Sequence, residues 1–235
     1  MIVSISQPAY LPWLGYFDRI FKSDVHIVLD DVMLERSSKT RFTNRNKIKT
    51  SNGELWLSVP VESKNHLNKN VSKILIVQDN WFKKHLKSIE LNYKKTPFFK
   101  DYFPELQSIL INESKNSLGH LNLKLLEYFM DCLKINTPIV KASDYSFDGI
   151  GSDLVLDMCV RLGADSYIFG EQGKNYADVK AFKEAEIVVE FQNYIHPVYR
   201  QMGRDFLPYM SIIDLLFNEG DKSFDMLMSN NIEQY

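Results

Sequence analysis

Apolar and polar positions alternate along this chain in short blocks that switch between the periods of strand and helix. Residues 2–6 are a β-branched run that stops at Gln7-Pro8, the signature of a buried strand. Residues 14–22 (LGYFDRIFK) carry apolar side chains at helical spacing, and residues 25–29 form a second apolar run ending in Asp30-Asp31. Strand, helix and strand within about 30 residues outline a βαβ unit and imply a parallel sheet. Residues 35–54 are polar and basic without a clear period and read as a long loop; loops of that length inside a domain tend to be functional. Residues 55–61 and 71–77 read as strands. Helices follow at 81–93, 99–112 and 118–133, then a strand at 138–142, a helix at 151–162, a strand at 164–169, a helix at 176–185, a strand at 187–192 and a helix at 210–217. There is no internal repeat, linker or low-complexity tract. The expectation is one α/β domain over residues 1–235, with a mostly parallel sheet, Rossmann-like or nucleotidyltransferase-like topology, and a helical middle segment.

Composition changes this picture little. Apolar residues make up 45% of the chain, enough for a substantial core. The 28 basic and 30 acidic side chains leave a net charge of −2, which argues against nucleic acid as a specific ligand. Cys132 and Cys159 each sit in an apolar periodic segment and read as buried thiols of a reducing compartment. The N-terminus lacks the basic and apolar regions of a secretory leader, and no stretch approaches the roughly 20 apolar residues of a membrane span. A soluble, cytoplasmic protein is expected.

Four segments carry candidate chemistry. The first is residues 7–17 (QPAYLPWLGYF), where two prolines, Gly15 and several aromatic residues lie between the first strand and its helix. Ligands of open α/β sheets bind at the carboxyl ends of strands, so Gln7, Tyr10 and Trp13 are candidates to line a pocket. The competing reading is an aromatic crossover packed for its own sake. The second is Asp30-Asp31, suited to an amine, a ribose hydroxyl or a metal; successive strand residues point to opposite faces, so at most one of the two reaches a site. The third is the basic run of Arg41, Arg45, Lys47 and Lys49, interleaved with Asn44 and Asn46. If extended, Arg45, Lys47 and Lys49 share a face, and a guanidinium beside an ammonium suits phosphate; a solvated charge run is the alternative. The fourth is His196-Pro197-Val198-Tyr199-Arg200-Gln201, a post-strand segment with a side chain able to exchange protons near neutrality. His196, with Asp31 as the alternative, is the candidate base, and Tyr199 and Gln201 are candidate ligand contacts. His85 shares a helix side with Trp81 and Ile89 and reads as a core residue. Asp214 interrupts an otherwise apolar stripe and needs a buried partner. No His or Cys spacing matches a metal site, so no metal and no cofactor are expected.

The first loop resembles in placement the nucleotide-binding loop of cytidylyltransferase-like and class I synthetase folds, but it carries no histidine, which counts against nucleotidyl transfer and against a nucleotide-dependent ligase. A closer resemblance covers nearly the whole chain. The blocks QPAYLPWLGYFDRI at 7–20, SDVHIVLDDV at 23–32, NRNKIK at 44–49, WLSVPV at 56–61, WFKKHLKSIELNY at 81–93, LGADSYIFG at 162–170 and HPVYRQ…FLPYMSIIDLLFNEG at 196–220 resemble the WbqC-like family of bacterial surface-polysaccharide clusters. The segment from Met33 to Thr40 matches more loosely. The resemblance implies an O-antigen or lipopolysaccharide biosynthesis protein. It further implies a transferase that moves an acyl or aminoacyl group onto the amine of a nucleotide-linked amino-deoxysugar. Its partners would be that sugar nucleotide and an acyl donor. The rival expectation is a non-catalytic protein that binds the sugar nucleotide for other enzymes of the cluster.

Overall fold

The computed structural model describes residues 1–34, 42–62, 69–203 and 205–231. Five short strands form one parallel sheet: β1 (Ile2–Ser6), β2 (Val25–Val28), β5 (Ile139–Lys141), β6 (Ser166–Phe169) and β7 (Val188–Phe191), in the spatial order β5-β2-β1-β6-β7. Counting only the strands of this sheet, the order is 3-2-1-4-5, the arrangement of the dinucleotide-binding α/β fold without its sixth strand. The α/β class, the parallel sheet and the helical middle segment agree with the sequence pattern. Strand β1 lies at the centre because its alternation is apolar on one face (Val3, Ile5) and small-polar on the other (Ser4, Ser6), and both faces are covered.

Two cores sandwich the sheet. On one face Val3, Ile5, Ile27, Tyr167 and Phe169 pack with α5 (Ser152–Leu162) and α6 (Val179–Glu184). On the other, α1 (Leu14–Phe21), α2 (Trp81–Tyr93), α3 (Phe99–Asn112), α4 (Leu118–Leu133), α7 (Ile212–Glu219) and α8 (Ser223–Met228) share a larger core. The apolar stripes give these helices their buried faces: Trp81, His85, Leu86, Ile89 and Tyr93 on α2, and Leu118, Leu121, Leu125, Leu126, Phe129 and Leu133 on α4. Helix α4 starts at the Ser117 cap, whose side chain accepts from the His120 N–H, and α5 ends at Gly163 in the left-handed conformation. Among the described residues, no helix is long and apolar enough to cross a membrane. Cys132 and Cys159 are free thiols, held above their usual pKa, at about 11 and about 12, by burial.

Two segments depart from the expected elements. Residues 45–58, placed mostly in a loop, form an antiparallel hairpin of β3 (Arg45–Thr50) and β4 (Gly53–Ser58), with Lys47 opposite Trp56 and a turn closed by Gly53 at φ +108°. The period-2 signal was hidden because one inward residue is polar: Asn46 is buried beside Ile48 and donates to the Leu11 carbonyl at 2.6 Å. Residues 71–77, expected as a strand, begin as a 3₁₀ turn (Val71–Lys73) and then bond singly to four neighbours. Val71 N–H reaches Val32 and Ser72 reaches Asp30. Val77 N–H and the Leu75 carbonyl bracket an isolated antiparallel bridge of Ile76 with Val61, and Leu118 N–H reaches the Ile74 carbonyl beside a Leu75–Ser117 bridge. Among the described residues the segment therefore makes single bridges and no continuous ladder. The expectations on Arg41 and on residues 35–40 lie outside the described residues.

Two histidines, His26 fully and His85 largely buried, are held as neutral rings. His26 on β2 sits between Ser4 Oγ (2.7 Å from Nδ1) and Ser6 Oγ (2.9 Å from Nε2), and burial, with the Arg19 charge, holds its pKa well below 6.5. His85 accepts from the Tyr10 hydroxyl at 2.8 Å, and burial lowers its pKa to about 4. Both rings stay neutral when folded and protonate near 6.5 when unfolded. Their stabilisation is therefore complete above pH 6.5 and lost as pH falls from there toward the folded-state values. Between pH 6.5 and 5, each should add about one proton taken up on unfolding, or about 1.4 kcal/mol per pH unit. Denaturant titrations across that range should show His26→Gln with a pH slope shallower by about one proton; an unchanged slope would show that His26 does not stay neutral in the fold.

Candidate functional site

The connection from β1 runs to β2 on one side, while β6 lies on the other, so the strand order reverses between β1 and β6. A crevice must open outside the carboxyl ends of these two strands. It is present as a cleft of about 650 Å³. Its floor is the end of β1 (Ile5, Ser6, Gln7), and its walls come from the start of α1 (Gly15, Tyr16), the end of β6 (Gly170, Gln172, Gly173) and the segment after β7 (Gln192, Tyr194, Tyr209).

The cation of this cleft is Arg19. Side chains on a helix lean toward its N-terminus, so Arg19, near the end of α1, reaches back toward the carboxyl ends of the strands. Its guanidinium lies against Gly170, where a Cβ would stand only 2.5 Å from Nη1. Its Nε is buried without an acceptor, and among the described residues no carboxylate pairs with it, although Glu171 also lines the cleft. The neighbouring Asp18 is fully buried: its Oδ2 accepts from Gln192 Nε2 at 2.6 Å, and its Oδ1 is ion-paired with Lys22 Nζ at 3.0 Å without a hydrogen bond. A buried donor without an acceptor costs free energy, and an anion in the cleft would relieve it. The first turn of α1 also opens here, adding the positive end of its dipole.

At the floor, a hydrogen-bond chain runs from Ser23 through Ser4 and His26 to Ser6, which also neighbours the Tyr16 hydroxyl. The Ser23 hydroxyl lies 2.7 Å from the Arg19 carbonyl and 2.6 Å from Ser4 Oγ, but has one proton to give. The Arg19 carbonyl can only accept, and the Ser23 N–H is spent on Ile20. With Ser23 donating to that carbonyl, Ser4 donates to Ser23, His26 Nδ1–H donates to Ser4, and Nε2 accepts the Ser6 proton. Ser6 then faces the cleft with lone pairs, an acceptor for an N–H or O–H of a ligand.

The residues singled out from the sequence are dispersed. Gln7 and Trp13 line the cleft; Gln7 Oε1 accepts from Thr43 at 3.2 Å, and Gly15 makes room for the Tyr194 ring rather than for a ligand, since a Cβ there would meet that ring at 3.1 Å. Lys47 stands at an adjoining pocket, paired with Glu54 at 2.6 Å. Tyr10 is buried on His85. Asp30 accepts from the backbone and hydroxyl of Ser143 (2.9 and 2.8 Å), which fixes the end of β5, and Asp31 accepts from Asn70. Arg45 lies 4.5 Å over the Trp56 ring. Lys49 turns inward, donating to Gln201 Oε1 at 3.0 Å and to the Asp205 carbonyl. His196 has both nitrogens occupied, by the Pro197 carbonyl at 2.8 Å and by the Tyr209 N–H at 3.1 Å, and burial lowers its pKa. Thus His196, Asp31 and Arg45 do not converge on one pocket.

Tyr199 and Gln201 instead meet Asp214. This carboxylate, at 0% exposure, accepts from Tyr93 Oη (2.8 Å), Tyr199 Oη (2.8 Å) and Gln201 Nε2 (2.7 Å). Burial raises its pKa, and these donors, with Lys49 nearby, hold it partly back. Arg19, Gly170, Tyr194 and Tyr209 were missed because no sequence window contains them together. The available signals were an arginine inside the apolar stripe of 14–22 and a glycine directly after the strand at 164–169. Among the described residues, no cluster of three or more His, Cys, Asp or Glu could hold a metal ion.

A parallel sheet in this strand order, with helices on both faces and a cleft lined by Arg19 at the strand-order reversal, places the chain in the doubly wound α/β class. Within that class, the profile of the WbqC-like protein family matches residues 7–226, and the chain belongs to that family. It is 34% identical over 226 residues to an uncharacterised protein of Mycobacterium tuberculosis, covering 96% of each chain. No solved structure matches it.

Removing the Asp214 carboxylate would leave the buried Tyr93 and Tyr199 hydroxyls without their acceptor and Gln201 Nε2 with the Leu207 carbonyl. Asp214→Ala should cost on the order of 3–5 kcal/mol in denaturant unfolding and expose residues 192–211 to limited proteolysis, whereas Asp214→Asn, which keeps one acceptor, should cost less. A loss below about 1 kcal/mol for the alanine variant would show that Asp214 is not the anchor.

Proposed function

We propose that this chain is an enzyme of bacterial surface-polysaccharide biosynthesis, O-antigen or lipopolysaccharide. In the cleft between β1 and β6, it transfers an acyl or aminoacyl group to the amine of a nucleotide-linked amino-deoxysugar. The observation that carries the reading is Arg19, a guanidinium without a described carboxylate partner, facing a cleft at the strand-order reversal. Guanidinium groups match phosphate oxygens in a fork, and among the described residues the Nε of this one has no acceptor. A volume of about 650 Å³ suits a ligand the size of a sugar nucleotide. Membership of the WbqC-like family supports the same direction.

In this reading Arg19 and the first turn of α1 hold the phosphate. Ser6 accepts a hydrogen bond from the sugar amine and orients its lone pair toward the acyl carbon; the N–C bond forms as the bond from that carbon to the donor's leaving group breaks, the amine proton departs with the leaving group, and Gln7 and Gln192 line the same space. Orientation of two bound reactants is the main catalytic effect such a site supplies. The dispersal of His196, Asp31 and Arg45 favours the second reading, in which the cleft binds the sugar nucleotide and presents it to another enzyme. Incubation with nucleotide-linked amino sugars and activated acyl or aminoacyl donors, read by mass spectrometry, separates the two: product formation supports the enzyme, and saturable binding without product supports the binding protein.

Arg19→Met should weaken sugar-nucleotide binding about ten- to a hundredfold, the worth of one charge-assisted contact, while leaving thermal stability nearly unchanged, because no ion pair is lost. Gly170→Ala should act in the same direction. Its backbone conformation (φ −65°) accepts alanine, and the new methyl would push the flexible end of Arg19 aside. Isothermal titration checks both; wild-type affinity in both variants would remove the anion site from Arg19.

A further inference from the structure

The cleft opens into an adjoining pocket of about 370 Å³ that the proposed chemistry leaves unused. It is lined by Trp13, Phe42, Lys47, Trp56 and Tyr209, and it shares Trp13, Phe42 and Tyr209 with the main cleft. The rings form a chain: Trp13 and Phe42 have centroids 5.0 Å apart, and Phe42 and Trp56 lie 6.0 Å apart at 33°. Trp56 is 38% exposed and Tyr209 58% exposed, so large aromatic surface is left to water around a concave opening.

Tyr209 is also held in an unusual conformation. Its φ is +60°, a region that bulky residues rarely enter, and its N–H is latched to His196 Nε2 at 3.1 Å. The His196 ring in turn packs on Tyr209 (5.0 Å), Phe206 (5.9 Å) and Tyr199 (6.2 Å). A strained backbone held this firmly fixes where the Tyr209 ring stands, at the junction of the two pockets. Across the opening, Trp56 carries Arg45 at 4.5 Å and Lys47 at 6.0 Å, so the rim combines flat apolar faces with positive charge.

We propose that this aromatic annex binds the nucleobase of the ligand by stacking on Trp56 and Tyr209, with His196 as the positioning residue that holds Tyr209 in place. The inference rests on the reading of the cleft as a sugar-nucleotide site. The polar floor of the cleft suits the phosphate and the amino sugar, whereas the annex offers flat rings, which suit a planar base. A sugar ring could also lie on an aromatic face, and the test separates these two occupants.

Of the three tryptophans, Trp56 borders the annex alone, Trp13 borders both annex and cleft, and Trp81 is 3% exposed, so the part of the quenching that Trp56→Leu abolishes reports occupation of the annex. The protein is titrated separately with UMP, CMP, dTMP, AMP, GMP and, as a ligand without a base, glucosamine 1-phosphate, with thermal shift in parallel. At least one nucleoside monophosphate should quench to saturation, while glucosamine 1-phosphate should raise the melting temperature without that Trp56-dependent quenching. Trp56→Leu and Tyr209→Asn (asparagine tolerates the left-handed conformation) should each weaken that nucleotide roughly five- to a hundredfold and leave glucosamine 1-phosphate unchanged. His196→Asn should weaken the nucleotide in the same selective way. If the nucleotide binds both ring variants as it binds the wild type, the annex is not the base site and the cleft reading survives. If glucosamine 1-phosphate quenches and loses affinity in parallel, the sugar occupies the annex and the proposal is overturned. If no ligand quenches or shifts the melting temperature, the inference and the cleft reading fall together.

Discussion

A carboxylate removed from water must be matched by donors, and the match made at Asp214 organises much of this molecule. Its three donors come from two places in the chain: Tyr93 at the end of α2, and Tyr199 and Gln201 in the irregular segment after β7. Tyr93 Oη also accepts from the Lys49 backbone N–H at 2.9 Å, which brings in the hairpin. Lys49 completes the circuit through Gln201. One anion in the first turn of α7 thereby ties a helix, a hairpin and the part of the segment after β7 that carries Tyr199 and Gln201, and its position there is favoured by the helix dipole.

The cleft depends on that arrangement. Its floor and one wall are built into the sheet and α1, where the reversal of strand order guarantees an opening. The opposite wall, Tyr194 and Tyr209, hangs on the segment that Asp214 anchors, and Trp56 sits on the hairpin tied to the same network. Further ties hold the segment: Gln192 donates to the Gly15 carbonyl at 2.7 Å, Tyr194 Oη reaches Leu227, and Asn231 bonds both backbone groups of Ile195. The protein thus holds aromatic side chains at a solvent-facing opening by means of a buried polar core.

Much of the fold was legible in the sequence because hydrophobic period specifies element type directly. The β1–α1–β2 unit, α2, α3, α4, β5, α5, β6, β7 and α7 all follow from runs or stripes of apolar residues. Of the hairpin, residues 55–58 of β4 lie in the expected strand, but β3 was not legible, because Asn46 takes an inward position, and α8 is too short to show a period. Residues 71–77 carry apolar side chains at both helical and strand spacing, and the chain uses each in turn. The site was legible only in part. The proline- and aromatic-rich loop marked Gln7 and Trp13, and Asp214 announced itself as a charge in an apolar stripe. Arg19 could not be told from an ordinary surface arginine, because its lack of a partner is a property of three-dimensional placement. His196 misled for a related reason: a histidine in a loop looks available until the Tyr209 N–H and the Pro197 carbonyl are found occupying its nitrogens.

The central claim, that the ligand sits at the reversal between β1 and β6 and reaches across to the segment after β7, can be tested by hydrogen exchange read by mass spectrometry, with and without a saturating nucleotide-linked amino sugar. Added protection is expected in peptides covering residues 6–19, 170–176 and 192–211, with β5 and α3 unchanged. Protection centred on α3, β5 or the exposed side of α6, with residues 6–19 and 170–176 unaffected, would contradict it.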